Sequence, residues 1–235
     1  MNKIDLSIII PVYNEEKTIL EILKRVNDLK SHFNLEIIII DDGSIDSTKL
    51  ILKENKELYS KSLFLEKNSG KGAAVIQGIK MCTHEYIAIQ DADLEYSPSD
   101  LKMFSNKIYE INAELIMGSR FIGNNRSVLH FWHMLGNKFI TFLFNIINNT
   151  TFTDIYCCYC MFKKNLIDYK KLQSLGWGQQ AEILTYLVHK SKKNYEIGVN
   201  YDARNYNEGK KIRYHHVFEV CFWIFFTKIK IFFKK

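Results

Sequence analysis

Leu6-Ser7-Ile8-Ile9-Ile10-Pro11-Val12-Tyr13-Asn14-Glu15 is the stretch whose reading decides the fold. Residues 6–10 form a β-branched, apolar run of the kind found in strands covered on both faces. Pro11 predicts its end, and the polar group Tyr13-Asn14-Glu15 follows at once. Residues 16–28 then open a segment with Ile19, Ile22, Leu23, Val26 and Leu29 at helical spacing. The alternation continues downstream. Strands are expected at 36–40, 62–65, 86–90 and 114–117. Helices are expected at 48–58, capped by Ser44 or Asp46, and from the turn at 68–72 through Met81. A further helix starts at Ser97-Pro98-Ser99-Asp100, with Ser as cap, Pro at the first position and an acid at the third.

Strands alternating with helices predict an α/β fold with a mostly parallel central sheet and right-handed crossovers. Such sheets bind ligands beyond the carboxyl ends of their strands. The polar signatures sit at those ends: Tyr13-Asn14-Glu15, Asp41-Asp42-Gly43-Ser44, Asn68 to Gly72, Asp91-Ala92-Asp93 and Ser119-Arg120. Their convergence on one edge is the main expectation from pattern alone. After residue 128 the rhythm changes. Helices are expected at 129–147, 179–190 and 214–230, extended chain at 153–162, and strand segments around a bend at 195–206.

Composition bounds the rest. The chain has 235 residues and 27.7 kDa, enough for one large domain or one domain with an appendage. Only 2 prolines and 11 glycines are present, which excludes collagen-like and linker-rich architectures. The net charge of +6 is uneven: residues 201–235 hold eight Lys/Arg against three acids. Nine aromatic residues lie before residue 129 and the other 23, with every Trp, lie after it. A basic, aromatic half suits something anionic and greasy. Nucleic acid would also suit it, but no RNA- or DNA-binding signature accompanies it, so no nucleic-acid partner is expected. Five cysteines are an odd number, and Cys157, Cys158 and Cys160 lack the CxxC pairing of a zinc site. A reducing compartment is expected, and no secretory leader is read at the start. The best candidate span, residues 217–226, would be about 15 Å long as a helix. That is half of the roughly 30 Å hydrocarbon core, so a surface-lying role is expected.

Asp91-Ala92-Asp93 carries the clearest chemistry. Two carboxylates at i and i+2 on a turn can share one divalent cation, which can then hold a diphosphate; Mg²⁺ or Mn²⁺ suits such oxygens. Glu95 offers a third oxygen. A solvated acidic turn would read the same. Asp41 and Asp42 exceed what a helix cap needs, which leaves one for a base or ribose hydroxyl. Gly70-Lys71-Gly72 resembles a fragment of a phosphate loop. Neither GxxxxGK[ST] nor GxGxxG is present, so a P-loop ATPase and a nicotinamide dehydrogenase are not supported.

Taken together and in this order, Pro11 to Glu15, Asp41 to Ser44, Asn68 to Gly72, Asp91-Ala92-Asp93 and Gly118-Ser119-Arg120 resemble glycosyltransferase family 2 with the GT-A fold. Thr153-Asp154 leading to Cys158-Tyr159, and Arg204 to Ile212, are similar to the polyprenyl-phosphate sugar transferases of the dolichyl-phosphate mannose synthase type. The resemblance covers about residues 5–213. It implies a transferase domain over 1–213, with a nucleotide-sugar half (1–120) and an acceptor half (121–213), followed by a basic aromatic interfacial tail over 214–235.

By the resemblance, Pro11, Tyr13, Glu15, Asp41, Asp42 and Lys71 bind the donor. Asp91 and Asp93, with Glu95, hold the metal. Arg120, Arg126, Arg204, Lys210 and Lys211 meet phosphate groups. Glu182 is the candidate for a sugar-binding or base-like acid, and Asp93, Arg120 and Glu182 form the expected catalytic set. The chain departs from the mannose synthases in three places: Glu95 stands for a Gln, no Arg lies in 129–137, where Arg126 is the substitute, and Cys160 follows Cys158-Tyr159.

The expected reaction is inverting transfer of a hexose from a nucleotide sugar, of the GDP-mannose or UDP-glucose type, to polyprenyl phosphate. The expected place is the cytoplasmic face of a membrane, held peripherally, with room for a separate membrane subunit. Phe131, Trp132, Phe139, Phe142 and Phe144, with Phe218, Phe222, Trp223, Phe225 and Phe226, would form interfacial helices. Each nearby cation would add about 1 kcal/mol at an anionic surface. The rivals are a family 2 transferase acting on a glycan or protein hydroxyl, and an inactive nucleotide- or lipid-binding partner subunit.

Overall fold

Alternation along each strand sorts the apolar residues onto two faces. Leu6, Ile8, Ile10 and Val12 join one buried cluster with Ile37, Ile39 and Ala88, whereas Ile9, Ile38, Ile40, Ile87 and Ile89 join a second. A period of two with both sets buried requires helices on both faces. The computed structural model describes residues 3–123, 131–202 and 216–233 and has that form.

In chain order the elements are β1 (Ile4–Val12), α1 (Ile19–Asn27), β2 (Phe33–Asp41), α2 (Thr48–Glu54), β3 (Lys61–Phe64), α3 (Lys71–Met81), β4 (Tyr86–Ile89), α4 (Leu101–Ile111), β5 (Leu115–Ser119), α5 (Phe131–Asn148), β6 (Cys160–Lys163), α6 (Gln179–Lys190), β7 (Asn194–Gly198) and α7 (His216–Phe233). The sheet order is β3-β2-β1-β4-β6-β5-β7. β6 runs antiparallel to both its neighbours and the other pairs are parallel. Residues of α1 and α4 pack in the first cluster, and residues of α3, α5, α6 and α7 in the second. β4 and β5 therefore point the same way, and the expected convergence of strand ends on one edge is realised. Because β6 is reversed, its entry at Cys160 lies on that edge too, and it brings residues 153–159 there.

Several expectations are corrected. Pro11 does not end β1, which continues to Val12 and pairs Pro11 with Ile40. The Ile9 carbonyl accepts from Gln90 N–H and the Val12 carbonyl from Asp42 N–H. By alternation Pro11 therefore faces the β4 side, where β4 has already ended opposite Ile9, and its missing N–H costs no ladder bond. Helix α1 starts at Ile19 because residues 15–18 are spent on the turn: Glu15 O accepts from Thr18 and Ile19. The next helix is capped at Ser47 rather than at Ser44 or Asp46, and Asp46 accepts from Thr48 N–H at 3.0 Å from just before it. That helix stops at Glu54, before a separate short turn at 56–58. Only Cys160–Lys163 of the stretch 153–162 is strand. Phe144 is fully buried in the core rather than facing lipid.

Two polar residues within the apolar strands were not foreseen as a pair. Ser7 Oγ donates to Glu36 Oε2 at 2.6 Å, and Lys61 Nζ pairs with Glu36 Oε1 at 2.5 Å. Thr83 donates to the same carboxylate through its N–H and its hydroxyl, each at 2.8 Å. Burial opposes the Glu36 charge, but Lys61, Ser7 and Thr83 together outweigh it and hold the carboxyl at about 2 against an ordinary 4.5. A depressed folded pKa contributes stability above the unfolded value, lost as pH falls through the folded one. Glu36→Gln is expected to cost about 2–4 kcal/mol at neutral pH, kept to that range because Lys61 is partly solvated. The difference from the wild type should shrink between pH 4.5 and about 2. Urea titrations across that window measure it; parallel curves for the two proteins would rule the network out as the source.

Candidate active site

The strand ends enclose a cavity of about 450 Å³. Pro11, Tyr13, Glu15, Asp42, Lys71, Asp91, Asp93, Glu95 and Arg120, all expected from sequence, line it. Local chemistry shapes the first wall. Asn14 adopts the left-handed conformation at φ 55°. Its N–H donates to Ser44 Oγ at 3.0 Å and its Oδ1 accepts from Ile45 N–H at 2.9 Å, which ties the β1 and β2 ends together. Glu15 N–H donates to Thr48 Oγ1 at 2.9 Å.

Asp41 and Asp42 divide their work. Asp41 is fully buried, does not line the cavity, and accepts from Ser44 N–H at 3.2 Å. Its other oxygen, Oδ2, has no hydrogen-bond partner among the described residues. Asp42 accepts from Ser69 N–H at 2.8 Å and Gly70 N–H at 2.9 Å, and so clamps the 68–72 loop. Burial pushes its carboxyl up, the two N–H groups pull it down, and Asp41 adds repulsion; the net direction is upward. Gly70 holds φ +97°, and a Cβ on it would come 2.4 Å from Leu175 O. A Cβ on Gly72 would come 2.3 Å from Ser174 O. These contacts set the loop directly against residues 174–175, so the glycines serve close backbone approach.

At the β4 end Lys71 Nζ pairs with Asp91 Oδ1 at 2.5 Å. Burial works against the Lys71 charge, but Asp91, with Cys158 and Asp93 nearby, holds the ammonium above its ordinary value. Asp93 Oδ1 accepts from Glu95 N–H at 3.1 Å, which folds the turn. Glu95, the expected third ligand, also lines the cavity. Its Oε2 accepts from Tyr201 hydroxyl at 3.1 Å. No three His, Cys, Asp or Glu side chains among the described residues are grouped to hold an ion. Two carboxylates on a cavity wall still fit a hard cation whose other ligands are phosphate oxygens and water. Asp91 and Asp93 are the residues that would hold it, and the cation would supply charge neutralisation to a diphosphate.

The opposite wall was largely missed by sequence reading. Arg120 is 9% exposed and forks onto fully buried Asp154, with Nε to Oδ2 at 2.7 Å and Nη2 to Oδ1 at 2.8 Å. Its guanidinium lies 5.2 Å from the Tyr201 ring centre. Tyr201 bridges to Tyr96, whose ring stacks on Tyr159 at 5.4 Å. Asp100, in the first turn after Ser97 and Pro98 as expected, also accepts from Asn200 at 2.8 and 3.0 Å. Tyr96, Tyr156, Cys158, Trp177, Gln179, Gln180 and Tyr201 all line the cavity. The reversed β6 brings Tyr156 and Cys158 there, the chain beyond β7 brings Tyr201, and the entry to α6 brings Trp177, Gln179 and Gln180.

Glu182 is corrected outright. It is buried, does not line the cavity, and accepts from Gln173 N–H and Ser174 N–H at 2.8–3.1 Å. Burial raises its pKa and those N–H groups oppose the rise. Its work is to hold the 173–175 strap against which Gly70 and Gly72 pack. Arg126, Arg204, Lys210 and Lys211 lie outside the described residues.

The same strap continues into the surface helices. Gly176 and Trp177 line the cavity. Gly178 N–H donates to Glu219 Oε1 at 3.1 Å, and a Cβ on Gly178 would come 2.0 Å from Trp223. Trp177 and His216 bring their rings within 4.9 Å. α7 thus packs on the cavity wall. It and α5 also lie side by side and leave Phe131, Trp132, Phe139, Phe142, Phe218, Phe222, Phe225 and Phe226 exposed. No helix among the described residues is long and apolar enough to cross a membrane.

Comparison with known proteins bears on this geometry. The family model described as glycosyl transferase family 2 matches residues 7–169. An uncharacterised protein of Methanocaldococcus jannaschii is 28% identical over 218 residues, covering 87% of this chain and 93% of its own length. The undecaprenyl-phosphate 4-deoxy-4-formamido-L-arabinose transferase of Pseudomonas savastanoi pv. phaseolicola is 24% identical over 87% of this chain, which spans 60% of that protein. Among solved structures, glucosyl-3-phosphoglycerate synthase from Mycobacterium tuberculosis, in complex with Mn²⁺, UDP and glucosyl-3-phosphoglycerate, superimposes with a TM-score of 0.68 at 15% identity, over 95% of this chain and 79% of that one. TarS of S. aureus in complex with UDP-GlcNAc gives 0.63 at 16% identity, over 95% of this chain and 66% of that one. At these identities the structural likeness bears on the fold, which is GT-A.

Proposed function

We infer, because this chain belongs to glycosyl transferase family 2, that it moves a hexose from a nucleotide sugar to a polyprenyl phosphate at the cytoplasmic surface of a membrane. One observation carries the acceptor assignment: the cavity and the exposed aromatic face share a wall. The strap 176–178 lines the cavity on one side and packs against Glu219 and Trp223 of α7 on the other. An acceptor with an anionic head and a greasy tail matches such a wall, with the head in the cavity and the tail along α5 and α7. The polyprenyl-phosphate substrate named for the Pseudomonas relative supports the same reading.

The chemistry asked of the chain is modest. A phosphate monoester carries roughly −1.5 to −2 charge near neutral pH. One of its oxygens attacks the anomeric carbon as the bond to the nucleoside diphosphate breaks, with inversion, and no proton has to be removed first. Tyr13, Glu15 and the loop clamped by Asp42 bound the donor pocket. Asp91 and Asp93 would hold a divalent ion, Mg²⁺ or Mn²⁺, which would supply charge neutralisation to the departing diphosphate. Arg120, fixed by Asp154, offers positive charge to phosphate, and Gln179 and Gln180 offer amides to the sugar. Catalysis is then positional and electrostatic. A separate membrane subunit is compatible with this arrangement.

The test is a panel of nucleotide sugars offered with polyprenyl phosphate in vesicles, with radiolabel counted in the lipid phase. One donor is expected to label the lipid, and omission of the lipid phosphate should abolish capture. Label appearing only on glycan or protein hydroxyls would replace the acceptor, and no turnover of any nucleotide sugar would favour an inactive binding subunit.

A further inference from the structure

Lys71 and Asp91 form an ion pair on the cavity wall at 2.5 Å, with side chains 33% and 21% exposed. The pair is unusual in its position. Asp91 is one of the two carboxylates available to a cation there, and Lys71 is the first residue of α3, next to the loop that Asp42 clamps through Ser69 and Gly70. A lysine so placed does two opposing things. Its ammonium neutralises Asp91, which spares the pair Asp91 and Asp93 mutual repulsion. It also occupies an oxygen that a divalent ion would need.

We propose that Lys71 is a built-in counter-cation for Asp91, which holds the carboxylate in the donor-free protein and yields it to a divalent ion, more readily when that ion arrives with a nucleoside diphosphate. This rests on the reading of Asp91 and Asp93 as the metal-holding pair. The flexible four-carbon stem lets the ammonium swing without moving α3, and a compact charge with no fork geometry releases its partner readily. Once released, Lys71 stays at the cavity wall, where its charge meets the incoming diphosphate. The ion alone must displace the ammonium, whereas the ion with diphosphate gives the ammonium a new partner. Metal and nucleotide should therefore bind with positive coupling, and each should raise the affinity for the other by the same factor.

The experiment is Mn²⁺ binding to the full chain, followed by electron paramagnetic resonance of free Mn²⁺, with and without UDP or GDP. Lys71→Gln is expected to bind Mn²⁺ alone about ten-fold more tightly than wild type, since a partly solvated pair is all that has to be broken. It should also lose most of the coupling to nucleotide. Lys71→Arg, which keeps the charge and can fork onto both carboxylate oxygens, should hold Asp91 and bind Mn²⁺ alone no more tightly than wild type. A readout on the unaltered protein guards against a misfolded variant: acylation of Lys71 amine, followed by mass spectrometry, should accelerate when Mn²⁺ is added and slow again with Mn²⁺ plus nucleotide. Wild type and Lys71→Gln with equal Mn²⁺ affinity, or Lys71 labelling indifferent to Mn²⁺, would overturn the counter-cation role while leaving the metal pair intact. Mn²⁺ bound by none of the proteins, even with nucleotide, would overturn the metal pair itself and the proposal with it.

Discussion

Asp93→Asn is expected to abolish most of the transfer activity while leaving the protein as stable as wild type. Asp93 is 8% exposed, lines the cavity, and accepts from Glu95 N–H through Oδ1. An asparagine keeps that accepting oxygen, so the turn survives; what goes is the negative charge. If that charge fixes a cation on the leaving diphosphate, its loss acts where charge develops in the transition state. Removal of one such electrostatic partner typically costs about 10²–10³ in kcat. The melting temperature should move by less than about 2 °C, because the oxygen that accepts from Glu95 N–H is kept. Steady-state transfer and a thermal melt on the same preparation check both halves. Wild-type turnover in Asp93→Asn would remove the metal assignment. Asp91→Asn is a useful contrast, since it also strips Lys71 of its partner and should disturb stability as well as rate.

The wall built from the ends of β1 to β4 was legible because its signals are local. Each of Tyr13, Asp42, Lys71 and Asp93 follows a strand within a few residues, and a parallel sheet with right-handed crossovers then has little freedom in where to put them. The roles within that wall were less legible. Asp41 and Asp42 look equivalent in sequence, yet one is sealed beneath the cavity and the other clamps a loop, a difference fixed by the strand's pleat and the path of residues 68–70. The wall built after β5 was less legible because its signals are nonlocal. The reversed β6 carries residues 153–159 back to the site, and Tyr201 meets Glu95 across 106 positions. Glu182 misled for a related reason: an acid in the first turn of a helix near a cavity looks catalytic until the backbone it holds, 173–174, is seen. Phe144 misled because helix α5 is apolar on both its buried and its exposed sides.

Asp154→Ala is expected to destabilise the protein by about 3–5 kcal/mol, the usual cost of stripping one partner from a buried ion pair. Asp154 is fully buried and accepts from Arg120 three times: from the backbone N–H at 3.1 Å and from Nε and Nη2 at 2.7 and 2.8 Å. Its own N–H donates to Glu196 at 3.0 Å, so the carboxylate is fixed from behind before it meets the guanidinium. Alanine would leave a guanidinium only 9% exposed with no opposite charge on that side. At about 2–4 °C per kcal/mol for a chain of this size, the melting point should fall by roughly 10 °C. Asp154→Asn keeps the shape but not the charge and should fall between the two. The companion experiment separates architecture from chemistry. Replacing both partners with apolar residues of similar volume, Arg120→Met with Asp154→Leu, removes the stranded charge and should recover most of the lost stability. It should recover none of the activity if Arg120 supplies the positive charge that meets phosphate, because the fork exists to aim that charge into the cavity. Arg120→Lys should likewise fold but transfer slowly, since an ammonium cannot take the two-pronged geometry that Asp154 enforces. Asp154→Ala unfolding within 1 kcal/mol of wild type would mean that the guanidinium finds water or another acid, and the aiming role would fall with it.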